Sequence, residues 1–390
     1  MDMAIKTTLT FAEYDLDKIN GIHTAREICH QPEKWQQAYQ NTQKEKASLD
    51  AFLQPILSKS NLRIVLAGAG TSAFAGQVVA PYLSRVTGRR FEAISTTDIV
   101  SAPKEHLAEQ VPTLLISFAR SGNSPESVAT VERCQQLLDE CHHLFLTCNP
   151  EGCLARMAEN REDIYSLIMP EGTNDKSFAM TSSFTSMMLS TLCIFNPSAK
   201  NSEIVRVICA QTERLITQYA EELKSLAGNP CERVVFLGST VMTGLAQEAS
   251  LKLLELTAGQ VMAVHDSPLG FRHGPKSMVD EKTLVFVLMS NDEYTRLYDQ
   301  DLLSELRKDQ QAMQVIAVTD IQDASVAQGD VIFVGDQSGL DSVWLAFPYI
   351  VLAQMFAFFK SVYLGITPDN PCPTGEVNRV VQGVTIHPCQ

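Results

Sequence analysis

Short apolar runs recur along this chain at a nearly fixed interval. Residues 63–68 (RIVLAG) answer 233–238 (RVVFLG), 170 positions on. Residues 91–94 answer 261–264 and 113–117 answer 283–287, both again at 170. Residues 144–147 answer 316–319 at 172, and 163–168 answer 330–334 at close to 167. Each run is short and mainly apolar and most are rich in β-branched residues, as a strand covered on both faces should be. Between them lie stretches of helical character, at about 72–84, 125–140, 244–257 and 292–310. Strand and helix in that rhythm predict parallel βαβ units with right-handed crossovers. The expected fold is α/β, with two tandem doubly wound, flavodoxin-like domains of five parallel strands each. Residues 1–60 are polar and predict helix from about Gln31, with Pro32 in the first turn. The stretch 180–228 predicts helix linking the halves, and the Pro- and Gly-rich tail after Gly365 predicts extended chain. The expected boundaries are an N-terminal helical extension over 1–45, a first domain over 46–215, a second over 216–365 and a tail over 366–390.

A length of 390 residues agrees with two or three domains. The formal net charge of −14 and the absence of a dense Lys/Arg stripe argue against nucleic acid as a partner. The ten cysteines form no C-x-x-C pair, and no Cys/His spacing suggests a zinc site. The N-terminus lacks the apolar core of an export signal, so a cytoplasmic protein with reduced thiols is expected. One 17-residue apolar run, 343–359, is interrupted by Pro348 and Gln354. It predicts a buried or interface helix, with no membrane partner.

In doubly wound sheets ligands sit beyond the carboxyl ends of the strands, at the switch in strand order. The loop after the first strand reads Gly68-Ala69-Gly70-Thr71-Ser72 and opens a helix. Glycines admit close backbone approach, and the helix N-terminus and hydroxyls suit an anion. The loop also fits the dinucleotide fingerprint G-x-G-x-x-[GA], but that use wants an acid closing the next strand. Here the strand closes Ile94-Ser95-Thr96, with Glu92 in mid-strand. After the third strand comes Arg120-Ser121-Gly122-Asn123-Ser124-Pro125, a second hydroxyl-and-glycine loop. Ser124 could simply cap its helix and Ser121 simply make a turn. Two such loops on neighbouring strands predict a phosphate cradle of uncharged donors. The second half lacks the second glycine at 240 and carries Asp292 and Glu293, so one phosphate site per chain is expected.

The second half carries titratable groups instead. Glu248, Lys252 and Glu255 are spaced four and three apart on one helix. The plain alternative is a solvated Glu248–Lys252 pair. Glu255 lies among leucines, and partial burial would suit a proton shuttle near neutral pH. The stretch from His265 to Lys276 predicts a loop dense in His, Arg and Lys. His273, before Gly274-Pro275, could equally be an incidental loop residue.

These motifs together resemble the sugar isomerase (SIS) family: the double repeat, Gly70-Thr71-Ser72, Ser121-Gly122-x-Ser124, Leu251-Lys252-Leu253-Leu254-Glu255 and His273-Gly274-Pro275. Over roughly residues 40–390 the architecture is similar to the isomerase half of glucosamine-6-phosphate synthase. The stretches 253–259 (LLELTAG), 266–275 (DSPLGFRHGP), 368–371 (PDNP) and 378–383 (NRVVQG) resemble the galactosamine-6-phosphate deaminase/isomerase subfamily, also called tagatose-6-phosphate ketose/aldose isomerase. The resemblance implies that Gly70, Thr71, Ser72, Ser121, Gly122 and Ser124 grip a hexosamine 6-phosphate, with Arg272 also at the substrate. It implies that Glu255 moves a proton between C2 and C1 and that His273 helps open the ring. In the family this histidine comes from a neighbouring subunit, so a homodimer or higher homo-oligomer with a shared site is implied. No metal or organic cofactor is expected. The synthase has Glu-Leu-Lys-His where this chain has Gly270-Phe271-Arg272-His273, and its tail lysine has no clear match near Glu376, Asn378 and Arg379. The glutaminase half is lacking, and Asp2 rather than Cys follows Met1. The expected direction is therefore amino sugar to ketose plus ammonia. A plain aldose–ketose isomerase and a non-catalytic sugar-phosphate sensor are the alternatives.

Overall fold

The structure, a computed structural model, describes residues 7–335, 339–381 and 383–389. It divides into two compact units that cut across chain order. One comprises 33–175, 182–202 and 375 onward; the other comprises the chain up to 32, 176–181 and 203–374, so far as these are described.

The first unit holds a five-stranded parallel sheet: β1 (Arg63–Gly68), β2 (Phe91–Ser95), β3 (Thr113–Ala119), β4 (Cys141–Thr147) and β5 (Ile164–Ile168). Its spatial order is β2-β1-β3-β4-β5. The order reverses beside β1, so the ends of β1 and β3 are neighbours, with Ala67 opposite Ser117. Every residue of β3 and all but Arg63 of β1 are buried, which is why both read as unbroken apolar runs. Helix α1 (Thr71–Thr87) follows β1, and α2 (Pro125–Leu137) follows β3. Helix α3 (Ser182–Phe195) packs on α1 with nearly all of its residues buried.

The second unit repeats the plan with β6 (Arg233–Gly238), β7 (Met262–Asp266), β8 (Thr283–Leu288), β9 (Gln314–Thr319) and β10 (Val331–Phe333). The order is β7-β6-β8-β9-β10, so both sheets are doubly wound as expected. Its helices include α4 (Asn201–Ala227), α5 (Val241–Leu256), α6 (Pro268–Phe271), α7 (Glu293–Asp309) and α8 (Ser342–Tyr363). Among the described residues α8 alone is long and apolar enough to cross a membrane. Of its most apolar window, 94% is buried inside the fold, where it packs on α5.

Two sequence expectations need correction. Helix begins well before Gln31, at Glu13–Lys18 and Ile22–Cys29. These helices are short and amphipathic, and the second takes its N-terminal cap from far along the chain. The Asp369 carboxylate accepts the N–H groups of His23 (3.0 Å) and Thr24 (2.7 Å) and the Thr24 hydroxyl (2.7 Å). The helix expected over 180–228 is two helices, broken at 196–200. Pro197 disfavours helical geometry at the residue before it.

Candidate active site

In the first unit β1 delivers the chain into α1 through a tight turn. Gly70 stands at φ 54°, ψ −128°, a conformation costly for a side chain. A Cβ on Gly68 would lie 2.5 Å from the Ser72 carbonyl carbon, so that glycine lets the helix start close against the strand. Thr71 and Ser72, at 3% and 5% exposure, form the first turn of α1. At the end of β3, Gly122 has φ +65° and Ser124 caps α2. The Ser124 hydroxyl accepts the Ser127 N–H (3.3 Å) and pairs with the Ser127 hydroxyl (2.6 Å). The Asn123 N–H donates to the Ser121 hydroxyl oxygen (3.2 Å), which leaves that hydroxyl's own proton to donate elsewhere. The adjacency of β1 and β3 thus brings Gly70, Thr71 and Ser72 together with Ser121, Gly122 and Ser124 at one sheet end.

Three features of this region escaped the sequence reading. Arg120, 7% exposed, places a guanidinium beside the hydroxyl loop, so the surroundings are not wholly uncharged. It donates to the Arg379 carbonyl oxygen. Arg379 in turn donates to the Asp175 carbonyl oxygen (2.8 Å) and the Asn174 amide oxygen (3.0 Å). The tail around 379 is therefore tied to the hydroxyl loop and to the segment before α3; Gln382 of the same motif lies outside the described residues. The third feature is the loop after β4, whose Asn149 and Gly152 pack against Ser121. Its Asn-Pro-Glu-Gly turn signal was visible in sequence.

In the second unit α5 carries the titratable set. Glu248 and Lys252 are both fully buried with 3.5 Å between their charged groups, so the solvated-pair alternative fails. The Lys252 ammonium also reaches the Glu255 carboxylate, whose side chain is 22% exposed. Burial alone was expected at Glu255; the structure adds a buried cation, Lys252, in contact with its carboxylate. His265 and Asp266 belong to strand β7 rather than to a loop. Burial pushes His265 below the ordinary histidine range, which suits it poorly as an anion's cationic partner. The next turn is fixed by Ser267, whose hydroxyl accepts the Gly270 N–H at 3.0 Å. A Cβ on Gly270 would lie 2.4 Å from an Asp266 carboxylate oxygen. Arg272 pairs with Glu305 of α7 at 2.7 Å. His273 is exposed, and its imidazole has no hydrogen-bond partner among the described residues.

The second repeat keeps the cradle's backbone without its chemistry. Thr240 holds φ 55°, ψ −117°, close to Gly70. Between the loops after β6 and β8 lies a carboxylate of the chain itself. Asp299, fully buried, accepts the Ser239 hydroxyl (2.6 Å) and the Ser290 N–H (2.8 Å). The carboxylates that close this repeat to anions include Asp299 on α7, beyond the Asp292 and Glu293 visible in the loop. Burial raises the Asp299 carboxyl from 3.8 to about 6, although both hydrogen bonds oppose the rise. The folded protein therefore holds this proton in a pH range where the unfolded chain has lost it. The stability contribution is largest below pH 3.8 and falls as pH rises to about 6, by on the order of 3 kcal/mol. Asp299→Asn keeps one acceptor and one donor for the same two serines. Its stability relative to the parent is expected to rise between pH 4 and pH 7, measured by urea unfolding at a series of pH values. A constant difference across that range contradicts the assignment.

A cavity of about 1030 Å³ lies elsewhere, lined in part by Glu222, Asp323 and Asp330. Its acidic wall would repel a phosphate, so volume does not mark the site here.

Comparison with known proteins agrees with this layout. The SIS domain model matches residues 56–197 and again 229–358. The chain is 48% identical over 371 residues to the D-galactosamine-6-phosphate deaminase AgaS of Escherichia coli, covering 95% of this chain and 97% of that protein. It is 46% identical over 385 residues to the D-galactosamine-6-phosphate deaminase AgaS of Shewanella sp. (strain ANA-3), covering 98% and 96%. Among solved structures, the tagatose-6-phosphate ketose/aldose isomerase from Escherichia coli superposes with a TM-score of 0.90 at 46% identity, over 95% of this chain and 97% of that one.

Proposed function

The chain belongs to the SIS domain family, and from that premise we propose that it is a deaminating isomerase that converts galactosamine 6-phosphate and water to tagatose 6-phosphate and ammonia. The observation that carries this reading is near-full-length identity of 46–48% to two D-galactosamine-6-phosphate deaminases. The cradle supports it. Ser72, Ser121 and Ser124 offer hydroxyls, and the α1 N-terminus offers N–H groups and a positive dipole end, to the 6-phosphate. Anchoring the phosphate positions the sugar and so contributes to rate as well as to affinity.

Once the ring is open, C1 is an aldehyde and C2 carries the amine. Glu255 takes the C2 proton, the C–H electron pair forms the C1=C2 bond, and the carbonyl oxygen at C1 takes up a proton from solvent to give an enolamine. Glu255 returns the proton to C1 as the nitrogen releases one to solvent, which leaves an imine at C2. Water adds to that imine and ammonia departs, leaving the ketose. His273, exposed and without a hydrogen-bond partner among the described residues, assists ring opening, and in a homo-oligomer with a shared site it serves a neighbour's substrate. Arg272 is the accompanying substrate contact, although Glu305 holds part of its charge.

The name of the isomerase structure favours a second reading, aldose–ketose conversion without loss of nitrogen. A panel of galactosamine, glucosamine and N-acetylgalactosamine 6-phosphates and tagatose 6-phosphate, assayed for ammonia and ketose together, separates the two. Equal yields of ammonia and tagatose 6-phosphate from galactosamine 6-phosphate are expected. Aldose–ketose conversion without ammonia from any amino sugar would overturn the proposal.

A further inference from the structure

The hydroxyl loop after β3 is braced from a neighbouring loop as well as by its own bonds. Three hydrogen bonds reach it from the loop after β4. The Asn149 side-chain amide donates to the Ser121 carbonyl oxygen (2.9 Å), and the Leu154 N–H donates to the Gly122 carbonyl oxygen (3.1 Å). The Cys153 N–H donates to the Asn123 amide oxygen (2.9 Å). Gly152 closes the contact: a Cβ there would lie 2.6 Å from the Ser121 carbonyl oxygen and 3.2 Å from the Gly122 Cα. Gly152 has no left-handed backbone to explain it, so the requirement is for space alone.

The direction of these bonds matters. In a trans peptide the C=O and the following N–H point opposite ways. With the Ser121 carbonyl drawn toward Asn149, the Gly122 N–H must face away from the β4 loop, and it donates to nothing among the described residues. With the Gly122 carbonyl drawn toward Leu154, the Asn123 N–H also faces away and seats the Ser121 hydroxyl. Two carbonyls, which would repel an anion, are turned aside by one loop, and a free N–H and a donating hydroxyl are presented by the same rotation.

We infer that Asn149 and Gly152 are positioning residues for the phosphate, acting through the orientation of the Ser121–Gly122 peptide. The inference rests on the proposed use of this loop as a phosphate cradle. Asn149 also has a local duty, since its amide oxygen accepts the Glu151 N–H (3.1 Å) and shapes its own turn. Asn149→Ser keeps an acceptor for that turn but cannot reach Ser121, so it separates the two duties.

The test uses the full chain with galactosamine 6-phosphate as substrate and inorganic phosphate as competitive inhibitor. Asn149→Ser is expected to raise both KM and the inhibition constant of phosphate about tenfold, with kcat within about threefold and the unfolding midpoint nearly unchanged. Gly152→Ala should move both constants further in the same direction. A merely structural role would instead lower the midpoint without a selective loss of phosphate affinity. Values of KM and of the phosphate constant within about twofold of the parent in Asn149→Ser overturn the inference, whether or not Gly152→Ala folds. Ser121→Ala is the control that tells the two failures apart. If it raises both constants while Asn149→Ser does not, only this inference falls. If Ser121→Ala and Asn149→Ser both leave the constants unchanged, the cradle reading falls and takes the inference with it.

Discussion

Glu255→Gln is expected to abolish ammonia release and exchange of the substrate's C2 proton with solvent, while inorganic phosphate still binds. The amide matches the carboxylate in size, and its oxygen can still accept from the buried Lys252, so α5 should keep its geometry. What it loses is the ability to take a proton and return it one carbon away. Positioned acid–base groups typically contribute about 10²–10⁴-fold, and kcat should fall by that order. NMR of the substrate in deuterated water reads the exchange directly, apart from imine hydrolysis. Turnover within a few-fold of the parent, or undiminished exchange, would remove Glu255 from the mechanism.

Lys252→Met should produce the largest loss of stability. The ammonium and the Glu248 carboxylate are both inaccessible to solvent. Methionine fills much of the volume but leaves Glu248 enclosed without its cation. Removing one partner of a buried ion pair typically costs about 3–5 kcal/mol, because the stranded charge cannot regain water. Calorimetry should show a clearly lower unfolding midpoint, and adding Glu248→Leu should recover much of the loss. An unchanged midpoint in the single variant would mean that the pair is hydrated in solution.

The sheets were legible in sequence because burial on both faces leaves a local mark. Residues 63–68 and 233–238 coincide with β1 and β6 to the residue. The two hydroxyl loops were legible because Gly, Ser and Pro at strand ends have direct conformational meaning. What stayed hidden depends on partners distant in sequence. Asp369 caps a helix at His23 and Thr24, and Glu27 accepts the backbone N–H of Ser177 at 3.2 Å. Neither pairing leaves a periodic trace, so the union of the N-terminal residues with the second repeat could not be read from pattern. The burial of Lys252 was hidden for a related reason. Spacing of four and three is the same on a solvated helix and an enclosed one, and only the packing of α5 against α8 separates them. Asp299 lies deep in a helix whose sequence looks like an ordinary polar surface.

Thr240 adopts nearly the turn that Gly70 adopts, in a repeat whose anion position is occupied by the chain's own carboxylate. A branched side chain tolerates that torsion only at a cost, typically about 1–3 kcal/mol. Evidently the crossover from strand to helix demands the torsion whether or not anything is bound there. A glycine at this corner therefore reports how the polypeptide changes direction. The cargo is declared by the hydroxyls that follow it, and a search for similar enzymes should weigh those positions above the glycine signature.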